Sequence, residues 1–237
     1  MLLAAIESSG QVASVAILRD ETLVAEYSID YKKTHSTTLL PMLEEIVERT
    51  EIQLSDLDAI AVSSGPGSFT GLRIGSATAK GLGLALDIPL VEVPTLEALA
   101  YQFFGSPQLI CPMMDARRGQ VYTGLYRFSE KGELTTIFPQ AAIQAEQIIE
   151  KINEMGESVV FLGDGVGVYR QLIEEKCKVS YLFAPPHMIK QRAGALAALA
   201  AVYLKEGKTI SADLHKPEYL RLSQAERERM EREKGHD

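Results

Sequence analysis

Over residues 1–30, apolar positions gather in short runs separated by charged or hydroxyl-bearing breaks, a pattern that predicts a meander of strands. Leu2–Ile6 reads as a short buried strand, Ser8-Ser9-Gly10 as a turn and Val12–Leu18 as a second strand. Arg19-Asp20-Glu21 is the next turn and Leu23–Ile29 the third strand. The period then changes. Leu39, Leu40, Leu43, Ile46 and Val47 recur at helical spacing, with Glu44, Glu45, Glu48 and Arg49 on the other face, so a helix is predicted over Ser36–Thr50. A loop at Ser55-Asp56 leads to a strand at Ala59–Val62, a glycine-bearing turn and a second helix reaching Leu86. Pro89 breaks the pattern, Leu90–Val93 forms a strand, and Leu96–Phe104 another helix.

The second half repeats this order. Ile110–Met114 is a strand closed by Asp115, as Glu7 closes the first strand, and a Gly-Gln-Val opens the next strand in each half. A hairpin, a helix at Gln144–Asn153, a strand at Val159–Leu162, the turn Gly163–Gly167 and a helix to Lys176 follow. The expected fold is α/β, with two duplicated three-strand-plus-helix subdomains at 1–106 and 107–222 and a charged tail at 223–237. Ala193–Lys205 is an alanine-rich helix suited to tight packing. The tail Ser223–Asp237 alternates Glu and Arg with almost no apolar face, as an exposed helix or a disordered end would.

Composition narrows the class. With 237 residues, 46% of them hydrophobic, the chain can bury a full core. Its 24 Lys and Arg face 32 Asp and Glu, and a net charge of -8 argues against unaided binding to nucleic acid or an anionic membrane. Arg73, Lys80 and Arg192 interrupt the longest apolar stretches, which are too short to span a bilayer. No charged segment precedes Leu2–Ile6, so no secretory leader is expected. Cys111 and Cys177 lie far apart outside any Cys-x-x-Cys pattern and read as reduced, packed thiols. These features together predict a soluble cytoplasmic protein.

The most specific stretch is Ser63-Ser64-Gly65-Pro66-Gly67-Ser68-Phe69-Thr70-Gly71-Leu72-Arg73-Ile74-Gly75. Strand, glycine turn and helix in this order bring backbone N–H groups to a helix start, where an anion can sit. It lacks the Gly-Lys-Ser/Thr of a P-loop and the glycine spacing of a dinucleotide fingerprint. Beyond it, Gly71, Gly75, Ala79 and Gly83 recur every fourth residue. Glycine in a helix interior costs about 1 kcal/mol relative to alanine, so this stripe calls for very close packing. The residues leave open whether its neighbour is the chain's own sheet or a partner.

The duplicated unit resembles the actin, Hsp70 and sugar-kinase superfamily, in which an acidic residue ending the first strand of each half faces nucleotide phosphates or their metal ion; Glu7 and Asp115 hold those places. Four motifs carry a closer resemblance. They are His35-Ser36-x-x-Leu39-Leu40-Pro41, the glycine stretch, Thr95-Leu96-Glu97-Ala98-Leu99-Ala100 and Asp115-Ala116-Arg117-Arg118-Gly119-x-Val121-Tyr122. Together they resemble the bacterial TsaB family, also called YeaZ, over nearly the whole chain.

That resemblance implies a non-catalytic subunit of the machinery that makes threonylcarbamoyladenosine beside the tRNA anticodon. Its partner would be the catalytic paralogue TsaD, joined by the ATPase subunit TsaE, with tRNA reached only through the complex. The first two helices of each partner would form a bundle, for which His35, Leu39, Leu40, Leu43, Ile46, Arg73, Gly75, Ala79 and Leu82 are the expected interface residues. Alone, the chain would self-associate through the same face as a homodimer. No cofactor would be tightly bound. ATP or ADP with Mg could sit at the complex interface, and Glu7, Gly65, Gly67, Ser68, Asp115, Arg117 and Arg118 are the candidate contacts to a nucleotide or another anion.

Catalytic paralogues hold a metal with two histidines one helical turn apart, whereas here His35 is followed by Leu39, and His187, His215 and His236 are dispersed. No metal site is therefore expected. Ser64, Ser68 and Thr70 have no base beside them in sequence, so no catalytic residue is assigned. The alternative is a small-molecule kinase or ATPase of the actin-like fold. A metalloprotease lacks its His-Glu-x-x-His, and an interaction protein unconnected with tRNA is the remaining rival.

Overall fold

The computed structural model describes residues 1–31 and 34–221, so the charged tail predicted at Ser223–Asp237 lies outside the described residues. The first half comprises β1 (Leu2–Glu7), β2 (Ala13–Arg19), β3 (Thr22–Ile29), α1 (His35–Thr50), β4 (Ala59–Gly65), α2 (Phe69–Leu86), β5 (Leu90–Pro94) and α3 (Thr95–Tyr101). The second comprises β6 (Leu109–Arg117), β7 (Gln120–Phe128), β8 (Leu134–Gln144), α4 (Ala145–Met155), β9 (Val159–Leu162), α5 (Gly165–Lys176), β10 (Tyr181–Phe183) and α6 (Ala193–Lys205).

Each half builds a five-stranded sheet, ordered β3-β2-β1-β4-β5 and β8-β7-β6-β9-β10. In both, two hairpins make the antiparallel part, and the fourth strand returns through a helix to lie parallel to the first. The duplicated α/β architecture expected from the sequence is the one observed. β10 went unread: a strand of three residues shows no alternation, and it exists because it pairs in parallel with β9. The helix predicted over Leu96–Phe104 ends at Tyr101, and the second glycine turn is shorter than expected because Gly165 already belongs to α5.

The sheets and helices stack in layers. Leu39, Met42, Leu43 and Ile46 of α1 cover Ile6, Val15 and Ile17 on the outer face of the first sheet. On its inner face, Leu196, Ala197 and Ala200 of α6 meet Leu3, Ala5, Ala16 and Ala61. The short side chains on both surfaces let helix and sheet approach closely. Leu96, Leu99 and Ala100 of α3 pack instead against Ile110, Met114, Tyr126 and Leu162 of the second sheet. Each half thus lends a helix to the other. The predicted division at 106/107 parts the chain but not the packing, since α6 lies beyond it yet covers the first sheet.

After α6 the chain runs back as a strap along the edge of β5. Ile210 and Leu90 exchange backbone hydrogen bonds at 2.9 Å in both directions. His215 is buried with its Nδ1 2.5 Å from Glu92 Oε1, and the Glu218 N–H donates to the Ser64 carbonyl at 2.7 Å. Among the described residues, no helix is long and apolar enough to cross a membrane.

Candidate functional site

Two places carry candidate residues: the outer face of α1 and α2, and the cleft between the halves. The glycine stripe decides the first. Ser8 stands where a Cβ on Gly71 or Gly75 would go, and its hydroxyl donates to the Gly71 carbonyl at 2.9 Å. At Gly83 a Cβ would lie 2.9 Å from Ala212 Cβ and 3.0 Å from Leu90 Cδ2. The stripe therefore seats α2 on the turn after β1 and on the strap. Gly75 and Ala79 are buried within the chain itself, as are Leu39, Leu43 and Ile46. Leu39, Ile46, Gly75 and Ala79, expected at a partner surface, are instead engaged inside the chain, whereas the buried Leu43 forms the floor of the groove between the helices. A sheet face must be covered before anything else, and the most apolar stripe of each helix does that.

Of the expected interface residues, Leu40 stands 50% exposed, Arg73 is exposed, and Leu82 and His35 are half-buried. Leu40, Val47, Leu54 and Leu82, with Leu43 beneath and Glu44 and Glu48 on the rim, line an apolar groove of about 450 Å³ between the helices. Beside it, α2 shows solvent Ala77, Gly81, Ala85 and the 60%-exposed Leu84. Sequence reasoning missed Val47 and Leu54 as groove residues and this small-residue row altogether. The signal was present: Ala77, Gly81 and Ala85 repeat every fourth residue, two positions out of step with the buried stripe. His35 holds the start of α1 to the β1–β2 turn, its Nε2 lying 2.9 Å from the Gly10 carbonyl, which fixes Nε2 as the donor.

The cleft measures about 490 Å³ and is lined by Ser9, Gly67, Ser68, Asp115, Arg117, Asp164 and residues 218–221, among others. Ser68 caps α2, its hydroxyl accepting from the Gly71 N–H at 3.2 Å. Glu7 is absent from the lining. It is buried, and its Oε1 accepts from the Ser9 N–H at 2.7 Å and the Ser9 hydroxyl at 2.5 Å. Burial pushes its carboxyl above the usual range, against the pull of these donors. Asp115 does line the cleft, but its Oδ1 accepts from the Arg117 N–H at 2.9 Å and its Oδ2 lies 3.3 Å from the Arg117 guanidinium. Its own N–H donates to Asp164 Oδ1 at 3.3 Å. Burial raises Asp164, and the nearby Asp115 charge adds to the shift. Arg117 and Arg118 both sit in left-handed backbone, with φ of 66° and 57°, where they turn the β6–β7 hairpin. Arg117 reaches the cleft; Arg118 is not part of its lining.

The glycines of the turn are required by close backbone approach. A Cβ on Gly65, whose φ is 122°, would run into the Glu218 carbonyl, and one on Gly67 into the Ser9 carbonyl. Gly163 and Gly165 of the second turn press likewise on the Met113 carbonyl. Glu7, buried and bonded to Ser9, does not present its carboxylate to the cleft as the superfamily resemblance implies. The strap also bridges the cleft mouth. Tyr219 packs its ring 4.7 Å from that of Phe69, Gln140 donates to Glu218 at 2.9 Å, and Arg221 donates to the Ala116 carbonyl at 2.6 Å. Sequence reading assigned these strap residues no role, and no local pattern could have paired Tyr219 with Phe69 across the chain. Among the described residues, no group of three or more His, Cys, Asp or Glu side chains is placed to hold a metal ion.

The chain is similar to known proteins in both sequence and fold. Residues 22–229 match the family model described as TsaD, tRNA N6-adenosine threonylcarbamoyltransferase. The chain is 36% identical to the tRNA threonylcarbamoyladenosine biosynthesis protein TsaB of Bacillus subtilis, over 99% of this chain and 100% of that one. It is 29% identical to the protein of the same name from Escherichia coli, over 93% and 95% of the two chains. Among solved structures, YeaZ from Pseudomonas aeruginosa superposes with a TM-score of 0.80 at 27% identity, covering 92% of this chain and 99% of that one.

Proposed function

Because this chain belongs to the TsaB family, we propose that it serves threonylcarbamoyladenosine formation in tRNA as a non-catalytic scaffold and activating subunit. It docks a TsaD-type transferase through the α1/α2 face. The observation that carries this reading is the exposed apolar groove lined by Leu40, Val47, Leu54 and Leu82. A groove of this kind, next to the small-residue row of α2, suits the close approach of a partner's helices. The two strand-end acids support an accessory role, since Glu7 is bonded to Ser9 away from the cleft and Asp115 is paired with Arg117. The same two contacts weigh against the kinase or ATPase alternative.

The proposal extends to the assembly. The ATPase subunit TsaE joins the pair in the cytoplasm, ATP or ADP with magnesium binds in the assembled complex, and tRNA meets this chain only there. The net charge of -8 fits a subunit that leaves the RNA phosphates to its partner. In the partner's absence, the groove closes on a second copy.

Light scattering during size exclusion tests the reading, on the chain alone and mixed with the TsaD-type subunit of the same organism. A homodimer that exchanges into a heterodimer is expected. Leu40→Asp should abolish the heterodimer while leaving the circular dichroism spectrum unchanged, because Leu40 is half exposed. A heterodimer that survives this substitution would refute docking through the groove, and magnesium-dependent ATP turnover by the chain alone would restore the kinase alternative.

A further inference from the structure

The groove is apolar at its centre, but the two acidic side chains on its rim, Glu44 and Glu48, have no cation among the described residues. The cations of α1 and α2 are engaged elsewhere. Arg49 lies 3.7 Å from Glu45, outside the groove lining. Arg73 stacks its guanidinium 3.9 Å from the Phe69 ring centre and donates to the Tyr219 hydroxyl at 3.4 Å. Lys80 donates to the Asp213 and His215 carbonyls at 2.9 and 3.1 Å, holding the strap. Among the described residues, the groove is therefore an apolar strip beside two carboxylates without an ion-pair partner.

We infer that this rim selects the partner: the groove is built for a helix that carries leucine-like side chains flanked by Lys or Arg, and it disfavours a second copy of this chain. The inference rests on the heterodimer reading above and adds its charge rule. In a two-fold homodimer the patch meets a copy of itself, so both sides bring the same acidic rim to one interface. Like charges brought together at an interface oppose binding, and complementary ones favour it and speed encounter. One pair of side chains thus acts with opposite sign on the two assemblies. Self-association stays weak enough for the partner to replace it, with no change in the apolar contacts that both use.

The test is the double variant Glu44→Gln/Glu48→Gln, measured by analytical ultracentrifugation alone and by titration with the TsaD-type subunit. Both residues are exposed, and the substitutions keep side-chain size and polarity, so folding should be unaffected. The variant is expected to bind the partner roughly tenfold more weakly, the effect of losing two exposed ion pairs, and to self-associate more tightly than wild type. Raising salt should reproduce both trends in the wild-type chain, because screening weakens attraction and repulsion alike. A variant that shifts both equilibria in the same direction, or neither, would overturn the charge rule while leaving the groove reading intact. Failure of the wild-type chain to form any heterodimer would sink the partner reading itself, and this inference with it.

Discussion

Gly75 lies against Ser8, so that a Cβ on Gly75 would run into the Ser8 hydroxyl, whose own hydrogen bond to the Gly71 carbonyl spans 2.9 Å. This contact joins the turn after β1 to the second turn of α2 and sets how closely that helix lies on its sheet. It predicts opposite outcomes for one substitution at two glycines of the same helix.

Gly75→Ala gains about 1 kcal/mol of helix propensity but overpacks a site with no room, at a cost of about 1–3 kcal/mol. Because the Ser8 hydroxyl must also abandon Gly71, the net result should be destabilisation. Gly81→Ala meets nothing within 4 Å and should stabilise the free protein by about 0.5–1 kcal/mol. Urea unfolding of the two variants checks this; stabilisation at both positions would contradict the packing described.

Tyr219→Ala removes the ring packed 4.7 Å from Phe69 and the hydroxyl that accepts from Arg73. A loss of about 1–2 kcal/mol is expected from the lost aromatic contact and burial. Amide exchange should locate the change. The Glu218 N–H, bonded to the Ser64 carbonyl, should lose protection while the centre of the first sheet keeps it. Unchanged protection at Glu218 would mean that Tyr219 does not fasten the strap.

Glu7 gives a pH signature. Its folded-state pKa lies above the ordinary 4.5, chiefly through burial, so the native chain holds a proton that the unfolded chain has already released. Stability from this group is therefore full below 4.5 and falls as pH rises toward the folded value, levelling off beyond it. Glu7→Gln keeps an oxygen to accept from Ser9 but cannot ionise. Its stability should consequently decline less between weakly acidic and neutral pH than that of the wild-type chain, as followed by denaturant midpoints. Parallel profiles for the two proteins would contradict the assignment.

Cys111 is fully buried, and that burial pushes its thiol up to about 12. At neutral pH in the native state it should resist a thiol reagent and react only on unfolding, whereas the partly exposed Cys177 should react faster. Mass spectrometry after timed labelling distinguishes the two, and rapid native labelling of Cys111 would show an opening of the second sheet that the packing does not suggest.

The chain's own pattern was enough for the elements and their duplication, because strand alternation, helix period and turn residues are local. β9 and α6 appear over the ranges their residues suggest, and the repeated order of strands and helices appears in the two sheets. The motifs from His35 to Tyr122 were likewise enough to indicate the family. Which apolar stripe faces inward could not be read this way, because Leu39 and Leu40 are equally apolar and only the sheet beneath α1 buries one and leaves the other half exposed. For the same reason the glycine stripe pointed to close packing without naming its neighbour, which proved to be Ser8 and the strap. Burial of Glu7, the exchange of helices between halves and the bridging of the cleft by residues 218–221 all depend on contacts between segments far apart in sequence. Those contacts exist only once the chain has folded, since it is the packing of α6 on the first sheet and α3 on the second, with the return of the strap, that brings their partners within reach.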